Sequence, residues 1–335
     1  VASMRPDLDR DADKPWAGTG GFTFWAESAL AVADNPATLA GRKKLHIPEN
    51  GTLNGTDILH LKAREGDDAS CFNLNRARTP RLLGVNPSEF SRRRALLGRG
   101  ESPDLWKLLE SPLPGGEIPG LAGDMNTAMW GLQMKADPRQ GDVLVYRDEH
   151  GRDLRVKLVG SLPIPVSIFQ GTVLISSAAF AEAFPSEDGH RLFLVRTPPD
   201  RAAQVSRALS EGLSRYGMDI MPAVQRLKDF HTVEDTYLAM FLALGGLGLL
   251  LGTLGLCIVV FRNVMERRAE LATLRAMGYT RLALHRLLVL EHAWLLVVGI
   301  LAGVVASLVA ASPALCAPGT GVPVAGIMAL LAGMM

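Results

Sequence analysis

From Tyr237 to Phe261 the chain runs 25 residues without one Asp, Glu, Lys or Arg. Wound as a helix at ~1.5 Å per residue, that stretch is about 37 Å long, enough for a hydrocarbon core ~30 Å thick. It predicts a membrane-spanning helix over 237–261. A second apolar run, Leu287 to Ala311, is as long and is interrupted only by Glu291 and His292 near its start. A third, Val322 to Met335, rises only ~21 Å as a helix, so it is a truncated span or a segment that does not cross, and truncation is the expectation. Buried core helices are the alternative reading. Two runs of this length either side of a basic hinge exceed what a domain of this size buries.

Charge divides the chain in the same way. Residues 1–236 carry 29 Lys+Arg against 31 Asp+Glu, residues 262–286 carry 6 against 2, and beyond 286 only Glu291 is charged. The near balance of the first block gives no nucleic-acid footprint and reads as a water-soluble domain. Arg262, Arg267, Arg268, Arg275, Arg281 and Arg286 lie between the two long runs, whereas 312–321 holds no charge. By the positive-inside rule, 262–286 is a cytoplasmic loop, 312–321 is extracytoplasmic, and the block before Tyr237 lies outside the cell membrane. Three cysteines, Cys71, Cys257 and Cys316, make no disulfide framework and do not fix the compartment. For Cys71 the open readings are a reactive thiol, a pair for Cys316, or a small buried residue, the last being the default.

Each long run carries small residues four apart, Gly248 with Gly252 and Gly299 with Gly303. Such spacing permits close helix packing in lipid, although glycine is common in membrane helices generally. Glu291 and His292 sit near the cytoplasmic end of their run; snorkelling to the interface is preferred over a functional carboxylate.

Within 1–236 the pattern sharpens after about residue 140. Val143 and Val145, then Leu154, Val156 and Leu158, alternate on either side of Asp148-Glu-His-Gly151, which predicts a β-hairpin. Thr172–Ser176 and Leu192–Arg196 read as strands. Asp200 is a candidate N-cap for a helix through Ala202, Val205, Leu209 and Leu213, ended by Gly217. Residues 141–223 therefore form an α+β core, and 224–236 is a charged stalk leading into the first span. In 1–140 only Phe22–Trp25 and Ile58–Leu61 suggest strands; Pro112–Gly120 reads as a loop, Arg42–Asn54 as an excursion, and Arg92-Arg-Arg94 as a solvated turn.

Catalytic signatures are missing. No Gly-x-x-x-x-Gly-Lys-[Ser/Thr] loop, His-Glu-x-x-His pair or Gly-x-Ser-x-Gly elbow occurs, so the expectation is a protein that is not an enzyme and holds no cofactor or metal of its own. The loop after Phe261 is more telling. As a helix it sets Glu266 and Glu270 on one side, Arg268 and Arg275 on another, and Ala269, Ala272 and Ala276 as a smooth strip between them. A solvated helix is one reading; the other is an element docked in the cleft of a soluble protein. Gly278 suits the position after its end, and Thr280 the cap of a helix running into the second span.

Arg262-Asn-Val-Met-Glu-Arg-Arg-Ala-Glu-Leu-Ala-Thr-Leu-Arg-Ala-Met-Gly278, followed by Leu-Val-Leu-Glu291, resembles the signature of FtsX-like ABC permeases, which include MacB-type efflux permeases and those of lipoprotein release. The resemblance covers about 230–311; it is weaker over 141–230, which is similar to that family's periplasmic core, and absent over 1–140. It implies an α-helical membrane protein of a bacterial inner membrane with an α+β extracytoplasmic domain, its first membrane helix absent and its last truncated. It also implies a cytoplasmic ABC ATPase partner that binds the ATP, a second permease copy, a periplasmic adaptor, and mechanotransmission for export or extraction in place of a substrate pore. Glu266, Arg267, Arg268, Glu270, Leu271, Leu274, Arg275, Ala276, Met277 and Gly278 would be the ATPase-coupling segment. His292 stands where family members often have Gly. The rival expectations are a signalling permease that regulates a cell-wall hydrolase, and a membrane-anchored enzyme or sensor.

Overall fold

A computed structural model describes residues 11–48, 51–67, 69, 77–98, 104–111 and 113–315. Cys71, Cys316 and the run 322–335 lie outside the described residues. The chain divides into two compact units, one holding 11–236 and the other 237–315.

The first unit is built on a single nine-stranded mixed sheet. Its strands are β1 (Phe24–Val32), β2 (Asp57–Arg64), β3 (Arg81–Val85), β4 (Ile118–Ala122), β5 (Val143–Arg147), β6 (Asp153–Ser161), β7 (Thr172–Ser176), β8 (His190–Arg196) and β9 (Met218–Pro222), in the spatial order β5-β6-β4-β7-β3-β2-β8-β1-β9. Short helices α1 (Leu39–Lys44), α2 (Pro87–Arg93), α3 (Ser177–Ala183) and α4 (Ala202–Gly212) cover it. Strands from before and after residue 140 are interleaved in this order, so that position is no boundary in the fold. β3–β7 and β4–β6 are parallel; the other pairs are antiparallel.

The expected hairpin forms, but the face of its first strand that turns inward is not the one Val143 and Val145 mark. β5 and β6 pair from Val143↔Lys157 to Arg147↔Asp153, with Leu144 and Tyr146 buried and Val145 exposed. The loop is one residue longer than the sequence suggests: the Asp148 carboxylate accepts the amides of both His150 and Arg152, which fastens the turn.

Four expectations need correction. The presumed loop Pro112–Gly120 ends in β4. Pro119 is tolerated because β7 joins β4 only at Leu121 and Ala122, leaving one hydrogen-bonding side free around the proline. Gly120 is required because a Cβ there would stand 2.6 Å from Val156 Cγ1. The excursion Arg42–Asn54 is anchored, since Leu45, Ile47 and Leu53 are buried beside Val205 and Leu209 of α4. Arg93 of the supposed solvated turn is 11% exposed and forks onto Asp57, Nε to Oδ2 at 2.6 Å and Nη2 to Oδ1 at 2.7 Å. That fork holds the Asp57 carboxyl below its usual range. Asp200 is not the cap of α4: it lies in a 3-10 turn, and Arg201 takes the N-cap position with no side-chain cap bond.

An aromatic cluster fills the main core. Trp25 meets Phe169 edge-on at 5.8 Å, and Phe90 stacks on Trp106 at 4.5 Å. Ala223 and Leu227, the first buried positions of the next helix, belong to the same core.

That helix, α5 (Ala223–Glu266), is 44 residues long and follows β9 without a linker. α6 (Arg268–Ala276) and α7 (Arg281–Leu315) complete the chain as described. Two stretches, Ala239–Glu266 and Arg281–Ser307, are long and apolar enough to cross a membrane, and neither is buried within the structure.

Candidate functional site

Every residue of the expected coupling segment falls at the elbow formed by the end of α5, α6 and the start of α7. α5 gives way at Arg267, whose φ of −90° and ψ of 8° leave the helical basin. The hydrogen-bond ladder still passes through the break: Arg267 N–H donates to Asn263 at 3.1 Å, and Leu271 N–H to the Arg267 carbonyl at 3.0 Å. The other end of α6 is closed by a Schellman arrangement. Gly278 has φ +98°, its N–H donates to Arg275 O, and Tyr279 N–H reaches back to Leu274 O. Thr280 then caps α7 by accepting Ala283 N–H at 3.3 Å.

Both acids of the segment are engaged by arginines. Glu266 accepts Arg262 Nε at 2.7 Å, and Glu270 accepts Arg267 Nε at 3.2 Å, so the two acids do not form a free face. Glu291 is likewise engaged: Arg267 Nη1 lies 3.1 and 3.0 Å from its two oxygens. The bound guanidinium leaves neither oxygen of this carboxylate without a cationic partner on an otherwise apolar helix. Among the described residues, Arg268, Arg275, Arg281 and Arg286 have no acid within ion-pair reach. Leu271 and Leu274 are half-buried, while Ala269, Ala272, Ala276 and Met277 are exposed. The elbow therefore offers a small-residue strip flanked by free arginines.

Gly248, Gly252, Gly299 and Gly303 all face open space, with no atom within 4 Å of an added Cβ. His292 donates from Nδ1 to the Leu288 carbonyl at 2.8 Å within its own helix.

A second constellation, unmarked by sequence reasoning, sits at the root of α5. Arg226 donates from Nε to the Ile168 carbonyl at 2.9 Å and lays its guanidinium 3.9 Å from the centre of the Trp25 ring and 5.2 Å from that of Phe230. Burial pushes its pKa down to about 10, against the opposing pull of Glu27, so the group remains a cation at neutral pH. Glu27 is held by Trp25 Nε1 at 3.4 Å and by the Arg81 fork, and Arg81 also reaches Glu65 at 3.1 Å. Burial alone would raise Glu27, but Arg81 outweighs it and keeps the carboxyl below its usual range. Ala223, Arg226, Leu227 and Phe230 share one helical face by their spacing, the one sequence signal that Arg226 points inward.

Elsewhere in the sheet unit, Asp124 is buried and accepts Thr127 N–H and Oγ1–H and Ser167 N–H. Its burial nonetheless raises it to about 6. No group of three or more metal-ligating side chains occurs among the described residues.

Residues 242–333 match the family described as FtsX-like permease C-terminal. The chain carries an FtsX-like permease C-terminal domain. The match begins inside the apolar part of α5 and takes in the whole elbow, including the Arg267–Glu291 contact. No curated protein matches the chain by sequence.

Proposed function

We propose that this chain is the permease subunit of an FtsX-like ABC transporter, seated in a bacterial inner membrane with its sheet domain outside the cytoplasm. A cytoplasmic ATPase subunit, which binds the ATP, docks on α6 and moves the sheet domain through α5. The observation that carries this reading is the continuity of α5. One helix, 44 residues long, starts among the buried residues Ala223 and Leu227 and ends at a charged elbow within the FtsX-like segment. A helix is stiff along its axis, so a displacement at one end is delivered at the other. The exposed strip Ala269, Ala272 and Ala276 permits close approach of a partner surface, and Arg268 and Arg275 supply free charges beside it. Work is thereby transmitted mechanically for export or extraction, in association with a second permease copy and a periplasmic adaptor.

Sidedness is the decisive test. Single cysteines at Ala272 and Ser210, in a background with Cys71, Cys257 and Cys316 replaced by Ser, are probed with an impermeant maleimide on intact cells and on inverted vesicles. Position 210 should label from outside and 272 only from inside. Labelling of 272 on intact cells overturns the proposal. Co-purification of an ABC ATPase, lost in Arg275→Glu, tests the docking surface.

A further inference from the structure

The two joints that bound α6 are fastened by different means. The joint to α7 is closed by backbone hydrogen bonds, through Gly278, Tyr279 and Thr280. The joint to α5 keeps its backbone ladder only across a break at Arg267, and what braces that break is a side chain. Nε of Arg267 holds Glu270 of α6, three residues on, while Nη1 holds both oxygens of Glu291, 24 residues on in α7. One guanidinium thus spans two helices from the hinge between α5 and α6.

We propose that Arg267 is the positioning residue of the elbow: its clasp on Glu291 pins the α5–α6 break to α7, so that a push on α6 drives both long helices together instead of bending the chain at residue 267. This rests on the coupling role proposed above and names the contact that sets the angle of the elbow. Arginine suits the task because its planar fork presents Nε and Nη donors in fixed directions, whereas a lysine ammonium is one point of charge on a flexible stem. Glu291 suits it because its two oxygens both lie within reach of the one nitrogen, Nη1, so the carboxylate meets the guanidinium end-on. The elbow then has one adjustable joint, governed by a single ion pair that is 42% and 44% exposed on its two sides.

The test has two arms, both on the full chain in lipid nanodiscs. In the first, without a partner, spin labels at Leu254→Cys on α5 and Ala276→Cys on α6 read the angle across the hinge in the cysteine-free background. The parent should give a narrow distance distribution, Arg267→Glu and Glu291→Arg broad ones, and the double exchange a narrow one again. No broadening in either single variant overturns the clasp. In the second arm, an ABC ATPase that co-purifies with the full chain is added with ATP, and the change in hydrogen exchange of 11–236 is measured per ATPase bound. Each single variant should lower that response about tenfold and the double exchange should restore most of it, the scale expected when two charges act as a unit. A full response in the single variants overturns the pin. If the parent itself binds no ATPase, the coupling role fails and the pin with it, while the first arm still decides whether the clasp exists.

Discussion

The two ends of α5 are both held by an arginine, yet under opposite conditions. At the root, Arg226 is sunk against Trp25, Phe230 and the Ile168 carbonyl, with Glu27 as its distant counter-charge. At the elbow, Arg267 meets Glu270 and Glu291 with both partners of each pair well exposed. The contrast teaches that the same side chain builds a rigid joint when desolvated and an adjustable one when exposed. Removing a buried partner leaves an uncompensated charge, whereas exposed pairs contribute ~0–1 kcal/mol.

The largest effect should therefore come from the root. Arg226→Ala is expected to destabilise the sheet domain by about 3 kcal/mol, read by near-ultraviolet dichroism on denaturant unfolding of the full chain. Arg226→Met, which keeps an apolar stem over Trp25, should lose less. Equal losses would show that charge, not packing, secures the root.

Next in size are the buried titrating groups of the sheet domain. Asp124 is raised by burial to about 6 from an unfolded value of 3.8, so its favourable contribution is complete below 3.8 and is lost as pH rises through about 6, a change of about 2–3 kcal/mol. Asp124→Asn should flatten stability over that window. His190 runs the other way. Burial, then His60 and Lys62, lower it to about 4, so its contribution is present above 6.5 and is lost as pH falls toward 4. His190→Phe should make the domain more resistant to acid in the same unfolding assay, and unchanged acid sensitivity would remove the histidine from this account.

The elbow should respond least. Arg267→Ala is expected to leave unfolding of the sheet domain unchanged within ~0.5 kcal/mol. Raising salt from about 0.1 to 1 M, which shortens the screening length from ~10 to ~3 Å, should broaden the spin-label distances across Arg267 while leaving the Arg226 joint intact. Equal salt sensitivity at both ends would erase the distinction.

How much of this the sequence discloses depends on whether a signal is local. The β5–β6 hairpin, β7, β8 and the turn at Gly278 announce themselves through alternation, apolar runs and a residue suited to positive φ. β4 does not, because Pro119 and Gly120 imitate a loop and are explained only by which neighbours pair there and how closely Val156 approaches. The arginines at both ends of α5 were opaque for the same reason. Arg226 reads as one more stalk charge until Trp25, some 200 residues earlier, is folded against it. Glu291 reads as a snorkelling acid until Arg267 is brought across the elbow. Asp57 with Arg93 repeats the lesson: a basic triplet shows its charge in sequence, but not which partner absorbs it.

The place of β1 in the sheet bears on how the protein is made. β1 lies between β8 and β9, so the earliest strand among the described residues waits for the last two before its ladder is complete. Pairings so far apart in sequence form slowly and leave apolar edges open meanwhile. Since β9 is followed at once by α5, the sheet is finished only as the apolar helix is itself being synthesised. Completion of the sheet and synthesis of the apolar helix thus become one timed event, in which a delay at either step exposes the other to aggregation.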